Sequence, residues 1–553
     1  MSALIPIATP LTSGALLLAL LLSRPTKADG QASVTPKAGA PVDLSQRPGI
    51  ATPSQRDLRA PADADWPTAT RDYAGTRYSP LAQVTAANAP TLRAVCVYQF
   101  GETGKFQTTP VVHDGTLFVT TPRVTVALDA ATCRPRWKHT WAPLASEVWP
   151  TNRGVAIKDG RVVRGTTDGH LIALDAATGA LRWSVRAADT RIGETFTMSP
   201  LIFEGLILIG PAGSANNIAG WVGAFRLDDG QRVWRYDVIP DRSTWKGVDS
   251  IPTGGGATWT PFTLDTVTAT LHVATSNPAP SFVGDVREGA NLNSNSVVAL
   301  DVRTGAVRWA KQLVPHDTHD WDVTHAGPLF TLLRGSDTRS MLAATGKDGL
   351  LRAIDRGTQA VLWETAITRR ENVEAPITTT GVRTCPGMSG GVLWSGPAYS
   401  ARTGLLYVNA VDWCSTFTRA KEIRLVPGTF YHGGTAPMDE RSQWGGWLTA
   451  VDAATGAIRW RYRSSAPLVA GLAVTAGDVV FTGELGGDVM ALDARTGDVR
   501  WRFNTGGPVG GGVATYAVAG TQYVAFASGR PSAQFVTDHP GASTLFVFAL
   551  PSR

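Results

Sequence analysis

Charge is scarce in this chain: only 17% of its 553 residues are Asp, Glu, Lys or Arg, against 43% hydrophobic. That proportion excludes a disordered chain or a coiled coil and suits a packed, sheet-rich protein. Methionine is scarcer still at 6 residues, while Gly 58, Pro 35 and Trp 18 are plentiful. Turn formers mixed with large aromatics favour many short strands over long helices, so the composition points to an all-β fold. No stretch is of low complexity, and no run of Lys and Arg concentrates the net charge of +6. Nucleic acid is therefore not an expected partner, while a basic surface facing an acidic protein remains compatible with the charge.

Cysteine is limited to Cys96, Cys133, Cys385 and Cys414, spaced too widely for a metal knuckle. No Cys-x-x-Cys-His occurs, which excludes covalently attached haem and means that any electrons leave on a separate carrier. The run Ala15 to Leu22 is too short to span a bilayer comfortably and precedes Arg24, Lys27 and a polar, Pro-rich stretch. It reads as an export signal, and no cysteine follows it to carry a lipid anchor. In an exported chain four cysteines suggest two disulfides, and 96 with 133 and 385 with 414 is the local pairing. The expected organisation is an export signal or apolar segment over 1–30, a Pro/Ala-rich linker over 31–60 and one large domain over 61–553, in a periplasmic or otherwise exported protein.

That domain is repetitive. A small residue, an apolar residue, Asp, a short Thr-Gly turn and then Trp recur as Ala127-Leu-Asp129 to Trp137, Ala173-Leu-Asp175 to Trp183, Ala224 to Trp234, Ala299-Leu-Asp301 to Trp309, Ala353-Ile-Asp355 to Trp363, Ala450-Val-Asp452 to Trp460 and Ala491-Leu-Asp493 to Trp501. The starts lie 46, 51, 75, 54, 97 and 41 residues apart, the period of four-stranded propeller blades with insertions at the longer gaps. An apolar strand ends at the Asp, a tight turn uses the Gly, and the return strand carries a Trp that can wedge against the next sheet. The 97-residue gap has room for a further blade around Gly391-Val-Leu-Trp394 and Leu405-Leu-Tyr-Val408. The terminal run Thr544 to Leu550 can complete a blade begun near Leu92 to Phe100. Eight blades is the favoured count, seven the alternative.

The words between the repeats are more specific. Asp65-Trp66-Pro67, Arg71 to Leu81, Asn152-Arg153-Gly154, Pro315-His316-Asp317 leading into Asp320-Trp321-Asp322, and Cys385-Pro386-Gly387 with Gly390-Gly391 closely resemble pyrroloquinoline quinone (PQQ) dependent alcohol dehydrogenases. The resemblance runs from about Asp65 to the C-terminus. It implies an eight-bladed propeller with tryptophan docking motifs and a quinone in a funnel near the axis, against Ca²⁺ or a lanthanide ion. It also implies the Cys385–Cys414 pair.

Position by position, Trp259 matches the tryptophan on which the planar cofactor stacks. Arg153 and Thr197 match residues that bind its carboxylates, a task that suits an Arg fork. Lys347 falls where the family places a cation beside the quinone oxygen, able to stabilise charge developing on the ring. Asn277 matches a metal ligand, and Asp322 the carboxylate that takes the hydroxyl proton while hydride passes to the quinone. Asp317, Asp320 and Asp322 lie close together, and Asp322 is preferred because the family's base follows the Trp.

The departures concern the same site. The family's vicinal cysteine pair is Glu147-Val148, where a Val could still pack. Its metal-binding Glu falls on Ala215, with an amide from Asn216 as a weaker substitute. The acidic residue contacting the cofactor at the first blade is Gln107, and the cap from the last blade falls near Val469. Thr324 stands where lanthanide users carry an extra Asp, which disfavours that metal. A hard cation that loses one anionic ligand binds more weakly, so Ca²⁺ is expected to be weak or quinone-dependent. The expected function is a PQQ-dependent dehydrogenase of alcohols or polyols, passing electrons to a separate acceptor such as a soluble cytochrome c. The alternative is a non-catalytic propeller acting as a binding or assembly module.

Overall fold

The computed structural model describes residues 49–239, 245–247, 254–334, 337–426 and 428–551. The expected export signal and most of the expected linker lie outside them. Residues 49–60 of that linker carry a helix, Gln55–Arg59, opened by a capping box between Ser54 and Asp57. Its Leu58 is buried in a cluster with Tyr73, Ile202 and Phe203.

The fold is an all-β propeller. Among the described residues, eight sheets each contain the four-strand antiparallel meander of a blade. Numbered by their innermost strands, sheets 1 to 8 begin at Val111–His113, Ala156–Lys158, Leu201–Phe203, Thr263–Asp265, Val323–Arg334, Ala398–Ser400, Ala473–Thr475 and Val509–Val518. The third strand of a sheet is apolar and buried until its last residue, as in His170–Asp175, while the fourth alternates between exposed and half-buried, as in Leu181–Arg186. The repeat thus places its Asp where the buried strand reaches the surface. Asp175 Oδ1 accepts from the backbone N–H groups of Ala177 and Thr178 at 3.0 and 2.9 Å, holding the turn.

The return-strand Trp docks on the following sheet. Trp137 Nε1 donates to the carbonyl of Ala176 at 2.7 Å, and Trp183, Trp234, Trp363 and Trp460 do the same to Leu227, Val302, Ala453 and Ala494. The indole lies over the turn glycine: a Cβ on Gly179, itself at φ +74°, would come within 2.6 Å of Trp137. The two exceptions have physical reasons. Opposite Trp309 the turn position is Gln359 in place of glycine, held at φ 59° with its side-chain amide donating to the Arg356 and Gly357 carbonyls. Trp501 faces sheet 8, whose third and fourth strands are not joined by such a turn, and it packs edge-on to Phe548 at 4.8 Å instead.

Sheet 8 joins the two ends of the domain, because Thr544–Ala549 pairs antiparallel with Arg93–Gln99. Here the docking pair is replaced by a covalent bond. Cys96 occupies the Trp position of the outer strand, Cys133 occupies the Gly position of the sheet 1 turn at φ 56°, and the two form a disulfide. Opening this 37-residue link is expected to lower stability by about 4 kcal/mol. Denaturant midpoints of wild type and of Cys96→Ser/Cys133→Gly would measure it, glycine being tolerant of that backbone angle.

Among the described residues the 97-residue gap holds no extra blade. Leu405–Asp412 pairs directly with Gly445–Asp452, so both strands belong to sheet 6. The intervening residues 413–444 leave the sheet, pair through Ser415–Arg419 with Val382–Thr384 and with Gly434–Thr435, and return. The Cys385–Cys414 disulfide ties the base of this excursion to the segment leading into sheet 6. The run Leu405 to Val408, expected to build a further blade with Gly391 to Trp394, is thus part of a sheet 6 strand.

Candidate functional site

The segments that lead into the innermost strands converge on one cavity. Arg153, Thr197, Trp259, Asp322 and Trp394 each stand one to four residues before the innermost strand of sheets 2 to 6, and all five line it. Gln107, Asn277 and Lys347 line it as well, so the sequence-derived candidates meet at one place. The two longest repeat gaps contribute Trp259 and Asn277 from one and His432 from the other.

One end of the cavity is cationic. Arg153 is buried between two indoles, its guanidinium carbon 5.0 Å from the Trp259 ring centre and 6.0 Å from that of Trp394. Its Nη1 donates to Thr197 Oγ1 at 2.7 Å and to the Trp259 carbonyl at 3.1 Å. Its buried Nε has no partner, and no carboxylate among the described residues pairs with it. Burial alone pulls its pKa down to about 9. Lys105, also on the cavity, is depressed by burial and by the charges of Arg153 and Arg530. Two cations without a counter-charge, one carrying an orphaned donor, form a receptor for an anion. Gln107 adds a buried Oε1 without a partner, its Nε2 being given to the Pro531 carbonyl.

The other end is acidic and compensated. Lys347 Nζ lies 2.6 Å from Asp320 Oδ2 and 2.9 Å from Asp322 Oδ2. Burial opposes the Lys347 charge, but the two carboxylates outweigh it and raise the ammonium's pKa. Asp322 Oδ1 accepts from the Asn277 backbone N–H at 2.9 Å. Burial raises the pKa of Asp322; Lys347 pulls it down and Asp320 pushes it up, and the balance stays raised, which makes this carboxylate a stronger base than an exposed one. Asp317 is not part of the cavity: its carboxylate caps the chain, accepting from the backbone N–H groups of His319 and Trp321 at 2.8 Å each. Asp320 and Asp322 remain as the cavity's carboxylates.

Three expectations need correction. Val148 does not wall the cavity; it donates its backbone N–H to Thr167 while Glu147 pairs with Arg123. The wall is Trp149, in the left-handed region at φ 49°. Asn216 is no substitute ligand, because its Oδ1 accepts from Trp149 Nε1 at 2.8 Å and its Nδ2 donates to Gly428. Val469 lies behind the cavity in the cluster of Trp394 and Phe535. The sequence reading also passed over Trp149, Lys105, Phe535 and His432. Trp394 was read as part of a strand, though, like Trp259, it stands outside the docking repeat, which is the signal that marks it.

The donor set fits a planar dicarboxylate or similar anion, with indole faces beside a guanidinium that lacks its counter-ion. It fits a hard divalent cation poorly. Ala215 presents a methyl group, both cavity carboxylates are already paired with Lys347, and among the described residues no three His, Cys, Asp or Glu side chains gather as a metal site.

Comparison with known proteins agrees with this architecture. Residues 66–369 match the family described as glucose/ethanol/alcohol dehydrogenase, β-propeller domain, and 445–536 match one described as outer membrane protein assembly factor BamB. A quinohemoprotein alcohol dehydrogenase of Comamonas testosteroni is 30% identical over 88% of this chain and 76% of its own. The quinoprotein alcohol dehydrogenase PedH of Pseudomonas putida is 29% identical over 87% of this chain and 90% of its own. Among solved structures, a europium-containing methanol dehydrogenase superposes with a TM-score of 0.81 at 26% identity, covering 90% of this chain and all of that one.

Proposed function

Because the chain belongs to the PQQ-dependent quinoprotein alcohol dehydrogenase family, we propose that it oxidises an alcohol or polyol in this cavity and passes the electrons to a separate acceptor such as a soluble cytochrome c. The observation that carries the reading is the pairing of an uncompensated guanidinium, Arg153, with a buried carboxylate, Asp322, across one cavity. A scaffold propeller has no use for either. Bound PQQ supplies the hydride acceptor.

The chain's own residues do the rest. Arg153 and Thr197 would hold the cofactor's carboxylates and the Trp259 face would stack against it, while the free Oε1 of Gln107, an acceptor, would take a hydrogen bond from a donor group. The substrate hydroxyl donates to Asp322, whose carboxylate takes the proton as hydride leaves the carbon. Asn277 N–H keeps that carboxylate aimed. Lys347, already bonded to Asp322, stabilises negative charge that develops beside it. Trp149, Phe430 and Phe535 restrict water at the cavity. The reading includes export to the periplasm or beyond, where the disulfides persist. It is tested by titrating the protein with PQQ and following tryptophan fluorescence. Saturable one-to-one quenching is expected, and none would remove the assignment.

A metal ion has a subordinate place. With Asn277 and Asp322 as its protein ligands, Ca²⁺ is expected to bind measurably only when the quinone supplies further oxygens. Calorimetry on quinone-free protein should show no tight Ca²⁺ binding. Ala215→Glu, which returns a carboxylate to the cavity, should strengthen binding. Tight binding by the quinone-free wild type would contradict the assignment.

A further inference from the structure

His432 lines the cavity and has no part in the proton and hydride steps above. It comes from the 413–444 excursion, its ring flat on Phe282 at 5.0 Å and 19° and edge-on to Phe430 at 4.6 Å and 89°. Its Nδ1 lies 2.8 Å from Ser281 Oγ. That hydroxyl accepts from Asn277 Nδ2 at 2.9 Å and donates to Asp320 Oδ1 at 3.3 Å. A hydroxyl has one proton, and with that proton on Asp320, Ser281 is an acceptor toward His432, so Nδ1 carries the ring hydrogen. Burial lowers the imidazole's pKa, with Asp320 raising it and Lys347 lowering it in turn, and the net lowering favours the neutral ring. Nε2 is then a lone-pair nitrogen with no partner among the described residues, on a residue only 8% exposed that lines the cavity.

Such a nitrogen needs a donor. With two carboxylates beside it, the site disfavours an anionic group and favours a hydroxyl. Asp320 is 3.8 Å from His432 Nδ1 and linked to Asp322 through the Lys347 ammonium, which brings the acceptors at His432 and Asp322 to the same part of the cavity. A monohydric alcohol reaches one of them, and a polyol reaches both. We propose that His432 is a further substrate-contacting residue, whose Nε2 accepts a hydrogen bond from a second hydroxyl of a polyhydroxylic substrate while the reacting hydroxyl sits at Asp322. The assignment rests on the dehydrogenase reading above.

The test compares 1,2-propanediol with 1-propanol on quinone-loaded wild type and His432→Asn, whose amide can still donate to Ser281 but lacks the second nitrogen. The diol-to-monool ratio of kcat/KM is expected to fall about five- to tenfold, chiefly through the KM for the diol. Calorimetric diol affinity should weaken by a similar factor. His432→Phe, which keeps the stack on Phe282, should behave alike. An unchanged ratio with unchanged diol affinity would overturn the proposal. If wild type oxidises neither alcohol yet diol affinity still falls in both variants, His432 keeps its role and the oxidation reading fails.

Discussion

Replacing Asp322 by asparagine is expected to lower alcohol turnover by about 10²- to 10⁴-fold while leaving quinone binding in place, the range that positioned general bases supply. The amide keeps the shape, and its oxygen can still accept from Asn277 N–H, but it cannot take a proton. Asp317→Asn should do far less, because that carboxylate caps backbone N–H groups outside the cavity. Asp320→Asn should fall between, since it loosens Lys347 without touching the carbon that is oxidised. Steady-state turnover with an artificial electron-accepting dye, beside a quinone-binding titration of each variant, separates the three. An active Asp322→Asn protein would leave the family assignment standing and move the base to Asp320.

Arg153→Met should act in opposite directions on binding and on stability. The guanidinium is buried, satisfied only by a hydroxyl and a carbonyl, and has no described carboxylate partner. In the quinone-free protein it is an uncompensated charge whose burial is unfavourable. Methionine keeps the apolar stem between the indoles and removes the charge, so the quinone-free variant is expected to unfold at the same or a higher temperature than wild type. PQQ affinity should meanwhile fall about 100-fold, as when one partner of a desolvated charge pair is lost. Melting curves and fluorescence titrations check both halves. A less stable variant with undiminished affinity would make Arg153 a structural cation.

Much of the fold was legible because each blade repeats one solution: an apolar strand, an Asp-held turn and a docking Trp. Where the pattern broke, spacing misled. The stretch between Asp355 and Ala450 is long because residues 413–444 leave sheet 6, and no periodicity distinguishes an excursion from an extra blade. The disulfide at Cys96 and Cys133 was readable as a pairing, but its place as a substitute for a Trp–Gly contact emerges only from register. In the site, Arg153, Trp259 and Asp322 announced themselves through motifs beside the innermost strands. His432 did not, because it reaches the cavity from an excursion with no motif, and its partner Ser281 is 151 residues away. Trp149 walls the cavity in place of Val148 for a local reason: its left-handed backbone goes with an indole on the cavity, while the Val148 N–H is bonded to the Thr167 carbonyl.

The central claim is that this cavity oxidises alcohols with bound PQQ, and dye-linked oxidation by purified protein reconstituted with PQQ and Ca²⁺ tests it most directly. The account predicts alcohol-dependent dye reduction that requires added PQQ and is lost in Asp322→Asn. Protein that binds PQQ tightly yet reduces no dye with any primary, secondary or polyhydric alcohol would contradict it and leave a quinone-binding module.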